Sequence, residues 1–179
     1  MFYSTVYISP LGELTLASDG EKLAGLWVAD QKHYGKSVLG KLTEKDNLQL
    51  FGKVRKWLDR YFAGKQPLPA ELPLGPLGSD FRQTVWGILC RIPYGQVVTY
   101  GEVAGEVAAA RGLSSMSSQA VGGAVGHNPI SIIIPCHRVV GTGGSLTGYA
   151  SGIANKLWLL ELEGVNTAGF YTPKRGTAL

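Results

Sequence analysis

The chain is poor in cysteine, with Cys90 and Cys136 the only two in 179 residues. That excludes a disulfide-stapled scaffold and fits a reduced, intracellular setting. Histidine is scarce as well: His33, His127 and His137. No apolar run approaches the roughly 20 residues that span a bilayer. The first residues hold no basic stretch followed by an apolar core, so neither a membrane span nor a secretory signal is expected. Excess charge is small, 17 Lys+Arg against 13 Asp+Glu, a formal net charge of +4. Residues 1–75 carry 10 basic and 8 acidic side chains, and residues 76–179 carry 7 and 5. Neither part is a polycation, so any affinity for nucleic acid must come from local geometry.

What is present is a core: 45% of residues are hydrophobic. The first thirty read as three short strands, Phe2–Tyr7, Leu14–Ala17 and Leu23–Val28, joined by turns at Pro10-Leu11-Gly12 and Asp19-Gly20, which makes an antiparallel meander. From Asn47 the period changes. Leu50, Phe51, Val54, Trp57, Leu58 and Tyr61 mark one helical face, with Lys53, Arg55, Lys56 and Arg60 on a solvated remainder. Gly64 stops this helix. Pro67, Pro69, Pro73 and Pro76 make a stiff connector, which divides the chain into domains 1–75 and 76–179.

The second region opens with a helix in which Asp80 and Gln83 resemble a capping pair and Phe81, Val85, Ile88 and Leu89 form the stripe. Thr99 and Glu102 form a capping box for the next helix. Serines 114, 115, 117 and 118 supply a loop before a short helix from about Ser118 to Val125. The pair suggests a helix-turn-helix. Its second helix carries Ala120, Gly122, Gly123 and Ala124, a small-residue surface that lets another backbone, protein or nucleic acid, come close. Gly141–Ser145 reads as a turn or a mobile rim. A final helix ends at Glu163-Gly164, and residues 165–179 read as a tail. The fold class is α+β: a small domain of antiparallel strands and a helix, then a mainly helical, winged-helix-like domain.

The run Ile132-Ile133-Ile134-Pro135-Cys136-His137-Arg138-Val139-Val140 draws the chemistry together. The thiolate is the nucleophilic form of cysteine, and a thiol of unperturbed pKa about 8.5 needs a base or a cation nearby. His137 and Arg138 offer these. Adjacent side chains diverge in strand and helix alike, so Cys136 and His137 need a turn or a bridging water. A reactive thiol and a buried structural thiol both fit the tripeptide. Cys90, in an apolar helical pattern, reads as structural.

Pro135-Cys136-His137-Arg138-Val139 resembles the active-site signature of the O6-alkylguanine-DNA alkyltransferases. The resemblance runs on through Ala120-Val121-Gly122-Gly123-Ala124, Asn128-Pro129, Gly148-Tyr149 and Lys156…Trp158-Leu159-Leu160…Glu163-Gly164, in the family's order. It implies stoichiometric, irreversible transfer of an alkyl group from O6-alkylguanine, with O4-alkylthymine a further substrate, to Cys136 after base flipping. His137 and Glu163 would serve as the proton relay and Tyr100 as donor to the departing guanine, with no cofactor and no metal. The N-terminal zinc site of some members has no counterpart, since residues 1–75 contain no cysteine.

By the same resemblance the second motif helix enters the minor groove of double-stranded DNA with Gln119, Ala120, Gly122 and Gly123. Gln119 stands where the family carries an arginine. Tyr149, Ser151 and Gly152 fall on the substrate-side loop, with Ser151 in place of a usual glycine. Asn128 braces the motif and Arg138 is structural. A monomer in the cytoplasm, or the nucleus of a eukaryote, is implied. Two other readings remain: a module that binds alkylated DNA without accepting the group, and a Cys–His hydrolase.

Overall fold

The computed structural model describes residues 1–38 and 42–173. They form two compact units: Met1–Gly78 with Pro129–Ile133, and Ser79–Asn128 with the residues from Ile134 onward.

In the first unit, β1 (Phe2–Ser9), β2 (Gly12–Ser18) and β3 (Leu23–Val28) form the antiparallel meander of the sequence reading, with β1 and β2 longer at their ends. The turn residue Gly12 becomes the first residue of β2, at φ +94°. A fourth strand, β4 (Leu42–Glu44), adds parallel to β1, giving the order β3-β2-β1-β4. Three residues without alternation leave no strand signal, so the sequence reading missed it. Trp27 lies against Gly25 so closely that a Cβ there would sit 2.0 Å from the indole. Only glycine lets the ring lie flat on the sheet, where Trp27 joins Ala17, Ala24 and Val38 in a buried cluster flanked by Phe2 and Leu42.

Helix α1 (Gln49–Phe62) buries Leu50, Phe51, Val54, Trp57, Leu58 and Tyr61, the stripe that the periodicity marks. It stops before Gly64, at φ +72°. Arg55 bonds Asp46 at 2.5 Å and Val6 O at 3.0 Å, and Arg60 pairs with Glu71. Two of the four basic side chains on this helix are therefore held by carboxylates.

In the second unit, α2 (Asp80–Leu89) is capped by Ser79, whose hydroxyl accepts from Arg82 N at 3.4 Å. Asp80 is the first helical residue and not the cap, correcting the Asp80–Gln83 pairing; the serine oxygen reaches the second free N–H beyond it. The buried face is Val85, Trp86, Ile88 and Leu89, and Phe81 stays half-buried under the Arg111 guanidinium, 6.0 Å from its ring. Helix α3 (Tyr100–Ala110) starts on the Thr99–Glu102 capping box, both arms of which are formed. Residues 111–117 lead to α4 (Ser118–Gly126), which Ser117 caps. Trp86 Nε1 donates to Ala124 O at 2.9 Å and pins α4 to α2.

Two short strands, β5 (Val98–Thr99) and β6 (Val139–Val140), pair in parallel just before α3 and just after Arg138. Helix α5 is Ile153–Leu162. The expected tail is in part packed. Phe170 lies against the Val140, Leu146 and Leu160 cluster, and Leu146 N donates to Tyr171 O at 2.8 Å. An aperiodic segment carries no helix or strand signal, yet one aromatic with a backbone bond suffices to anchor it; residues 174–179 of that tail lie outside the described residues. Among the described residues no helix is long and apolar enough to cross a membrane.

Candidate active site

The isoleucines before Cys136 do not form the strand that their β-branching suggests. Pro129–Ile133 belongs to the first unit, where Leu26 N donates to Pro129 O and Ser131 N to Leu26 O, both at 2.9 Å. Ile132 is buried at φ +70°, a left-handed conformation that costs a β-branched residue strain, and Ile133 N donates back to Ser131 O at 2.8 Å. Pro135, at φ −81° and ψ 63°, makes a second three-residue turn that Cys136 N closes on Ile134 O at 2.8 Å. Pro135 permits this turn because its ring fixes φ and it has no N–H to leave unpaired.

Cys136–Arg138 then forms one 3-10 turn. Successive side chains on such a turn splay by about 120°, so the thiol, imidazole and guanidinium leave in three directions. Asn128, just past α4, holds the first. Its Nδ2 donates to Ile134 O at 2.8 Å and to Cys136 Sγ at 3.1 Å. Cys136 is 5% exposed.

Helix α5 ends on Glu163, whose side chain is fully buried, not the exposed helix-end carboxylate that its position suggests. Glu163 Oε1 accepts from His137 Nε2 at 2.7 Å and from Arg138 Nη2 at 2.9 Å, and Oε2 accepts from Arg138 Nε at 2.8 Å. Arg138 also donates from Nη1 to Ile92 O at 2.6 Å, and Tyr94 lies under its guanidinium, 5.7 Å from ring centre to Cζ. All three ionisable groups are buried, and the bidentate geometry is what makes such burial tolerable.

The charge states follow from this packing. Burial opposes ionisation of Glu163, but the bonds from His137 and Arg138 and the Arg138 charge outweigh it and hold the carboxyl well below its usual range. Burial pushes His137 down, against the raising effect of Glu163, so the ring rests neutral. Burial pushes the Cys136 thiol up, against the Asn128 bond and the charge of Lys156. The resting site thus holds a neutral thiol, a neutral imidazole and an anionic carboxylate. With Nε2 on Glu163, the ring can pass a proton through Nδ1, and the carboxylate would steady the imidazolium that results.

Lys156 is a functional candidate that sequence reading left without a role, although it sits in the matching α5 segment. It is fully buried, and Nζ donates to Val139 O at 2.5 Å and Thr147 O at 3.0 Å. Tyr100 donates its hydroxyl to the same Thr147 O at 3.1 Å, and burial pushes its pKa up to about 12. Tyr149 is buried beside Ser151 and meets the His137 ring edge-on, with centroids 6.4 Å apart. Gly152, at φ +95°, caps α5. A lone lysine in an apolar stripe reads as a solvated stem; its burial is visible only once β6 and the Thr147 turn are in place.

The chain matches family models at both ends. Residues 80–165 match the DNA binding domain of 6-O-methylguanine DNA methyltransferase, and residues 2–76 its ribonuclease-like domain. A methylated-DNA–protein-cysteine methyltransferase of Haemophilus influenzae is 42% identical over 161 residues, covering 90% of this chain and 86% of that one. The chain belongs to the methylated-DNA–protein-cysteine methyltransferases. The namesake of Methanosarcina acetivorans is 40% identical, covering 90% of this chain and 98% of that one. Among solved structures, O6-methylguanine methyltransferase of Mycobacterium tuberculosis aligns with a TM-score of 0.77 at 38% identity, over 98% of this chain and 97% of that one. The same organism's enzyme in complex with DNA gives 0.77 at 40% identity, over 90% and 91%.

The methyltransferase family repairs DNA by passing an alkyl group to one of its own cysteines. In this member, α4 buries Val121, Ala124 and Val125 and exposes Gln119, Ala120 and Gly123. A Cβ at Gly123 would meet nothing within 4 Å, and one at Gly122 would sit 3.8 Å from the Tyr100 ring. The helix thus offers solvent an uncharged surface of minimal side chains.

Lys156 yields a test in stability. Burial pushes its pKa down to about 8, against an unfolded value near 10.4. Between those values the unfolded chain binds the extra proton, so this group makes stability rise with pH. Urea unfolding of wild type and Lys156→Met should therefore show the difference move in favour of wild type between pH 7 and 10, by about 3 kcal/mol at most. A difference that stays flat would mean that the ammonium is solvated.

Proposed function

We propose that this methyltransferase moves an alkyl group, methyl in the simplest case, from O6 of guanine in double-stranded DNA to Cys136 Sγ. The observation that carries this is the buried His137, paired with Glu163, on the same 3-10 turn as the Asn128-held thiol. His137 takes the thiol proton through a water. The S–C bond forms as the C–O6 bond breaks, and the guanine leaves as an anion that the Tyr100 hydroxyl protonates or hydrogen-bonds. The thioether has no route back, so each molecule acts once, without cofactor. Arg138 holds Glu163 in place.

O6 lies on the major-groove edge inside the base stack, out of reach of a sulfur fixed in a wall. The base therefore flips out, at a cost of a few kcal/mol that a weakened alkylated pair reduces. The exposed small face of α4, with Gln119, Ala120, Gly122 and Gly123, lies in the minor groove, and Gln119 fills the vacated space with a planar amide instead of a cation. Tyr149, Ser151 and Gly152 border the extruded base. O4-alkylthymine presents the same O-alkyl chemistry. A monomer working in the cytoplasm or nucleus suits these roles, and residues 1–75 act as a support domain for 76–179.

Intact mass after mixing with O6-methylguanine duplex tests the reading. One methyl per protein, mapped to Cys136 by digestion, is expected. DNA binding with no mass change would instead make the chain a binding module. Turnover of an ester or amide without a stable adduct would make it a hydrolase.

A further inference from the structure

Glu163 has a further partner besides His137 and Arg138. Gly95 N donates to Oε2 at 3.1 Å. Pro93-Tyr94-Gly95 reads in sequence as a turn and nothing more. Folded, the residue before the turn and the turn's last residue hold opposite members of the buried ion pair, Ile92 O the Arg138 guanidinium and Gly95 N the Glu163 carboxylate. The Tyr94 hydroxyl donates to Leu162 O at 3.1 Å, fastening the turn to the end of α5.

Gly95 has two separate reasons to be glycine. Its φ is +74°, and a Cβ would lie 2.9 Å from the Glu163 carbonyl oxygen. A turn that merely reversed the chain would need the first; the second arises only because the backbone is pressed against the carboxylate residue. Oε2 is thereby shared by Arg138 Nε and Gly95 N, and Oε1 by Arg138 Nη2 and His137 Nε2. Each oxygen has two donors, so the plane of the carboxylate is set.

We propose that Gly95 is a positioning residue of the proton relay: its backbone N–H fixes Oε2, and so aims Oε1 at His137 Nε2. The proposal rests on the relay reading of Glu163 and His137. A side chain at Gly95 lifts the turn from α5, frees the carboxylate to rotate and weakens its hold on the imidazole that receives the thiol proton.

Three variants test this in the full-length protein: Gly95→Ala, Glu163→Gln and Gly64→Ala. Gly64 has the same left-handed backbone, φ +72°, with nothing within 4 Å of a Cβ, and lies in the first unit. It therefore reports backbone strain alone. Single-turnover methyl transfer from O6-methylguanine duplex, and Cys136 alkylation by iodoacetamide followed by peptide mass, are measured across pH at temperatures where each variant is folded. Gly95→Ala is expected to slow both reactions by about tenfold or more and to displace their pH midpoints, with DNA affinity unchanged. Gly64→Ala is expected to keep wild-type rates and pH profile.

Wild-type kinetics in folded Gly95→Ala, or equal losses in Gly95→Ala and Gly64→Ala, would overturn the proposal. Unaltered rates in Glu163→Gln would sink the relay reading itself, whereas a slow Glu163→Gln beside a normal Gly95→Ala would sink only the role of Gly95. If Gly95→Ala does not fold, the amide proton of Gly95 in the wild type decides. Protection from exchange, with a resonance that moves in Glu163→Gln, supports the proposal; rapid exchange with an unmoved resonance refutes it.

Discussion

Cys136→Ala binds O6-methylguanine duplex with an affinity within about threefold of wild type, under 1 kcal/mol, and accepts no alkyl group. In the proposed transfer the sulfur is the sole atom that becomes bonded to the transferred carbon, so its removal leaves no slower route. DNA recognition, by contrast, is proposed to fall to the exposed face of α4. The thiol is buried, and trimming it costs stability on the order of 0.5–3 kcal/mol, which should leave a folded protein. Anisotropy for binding and intact mass for transfer separate the two effects. Loss of binding in proportion to loss of transfer would make Cys136 a packing residue.

Glu163→Ala is expected to destabilise the second unit strongly. It strands the Arg138 guanidinium, 7% exposed, with Ile92 O as its remaining hydrogen-bond acceptor among those described above. Breaking a buried pair by removing one partner costs about 3–5 kcal/mol, far more than loss of a surface bridge such as Arg91–Glu106. The effect depends on pH with a definite sign. The folded carboxyl ionises well below its usual range, so its contribution is complete above the unfolded value near 4.3 and fades as pH falls through the acid range. Urea unfolding should show a gap between wild type and Glu163→Ala that is widest near pH 7 and narrows below pH about 4. A gap that is small at neutral pH would mean that Arg138 finds water when its partner is gone.

Much of this was legible from local pattern. The α1 stripe, the Thr99–Glu102 box, the meander turns and the Cys136-His137-Arg138 triplet all depend on neighbours within a few residues, and the structure places the first three as read. The misses share a cause. β4, the packed Phe170 and the break in the isoleucine run depend on partners far along the chain: Phe2 for β4, Leu146 for the chain beside Phe170, and Leu26 for Ile130. Ile130–Ile134 has the composition of a strand, but a left-handed Ile132 and the turn at Pro135 divert it into the tight curve that presents the thiol.

Lys156 and Gly95 were invisible for a related reason. An amine inside an apolar stripe and a glycine inside a turn each have an ordinary local explanation, and what they bind, two carbonyls in one case and a carboxylate in the other, is supplied by other segments.

The sequence by itself determined the elements, the nucleophile, and the family that the motif order announces, because backbone preference, apolar spacing and side-chain chemistry are local properties. Only the tertiary structure decided which groups are charged. The fate of Glu163, His137 and Cys136 turns on how much water is withdrawn from each and which hydrogen-bond partner replaces it, and those partners arrive from Asn128 just past α4, the Ile92–Gly95 segment and the end of α5, up to 68 residues apart in the chain.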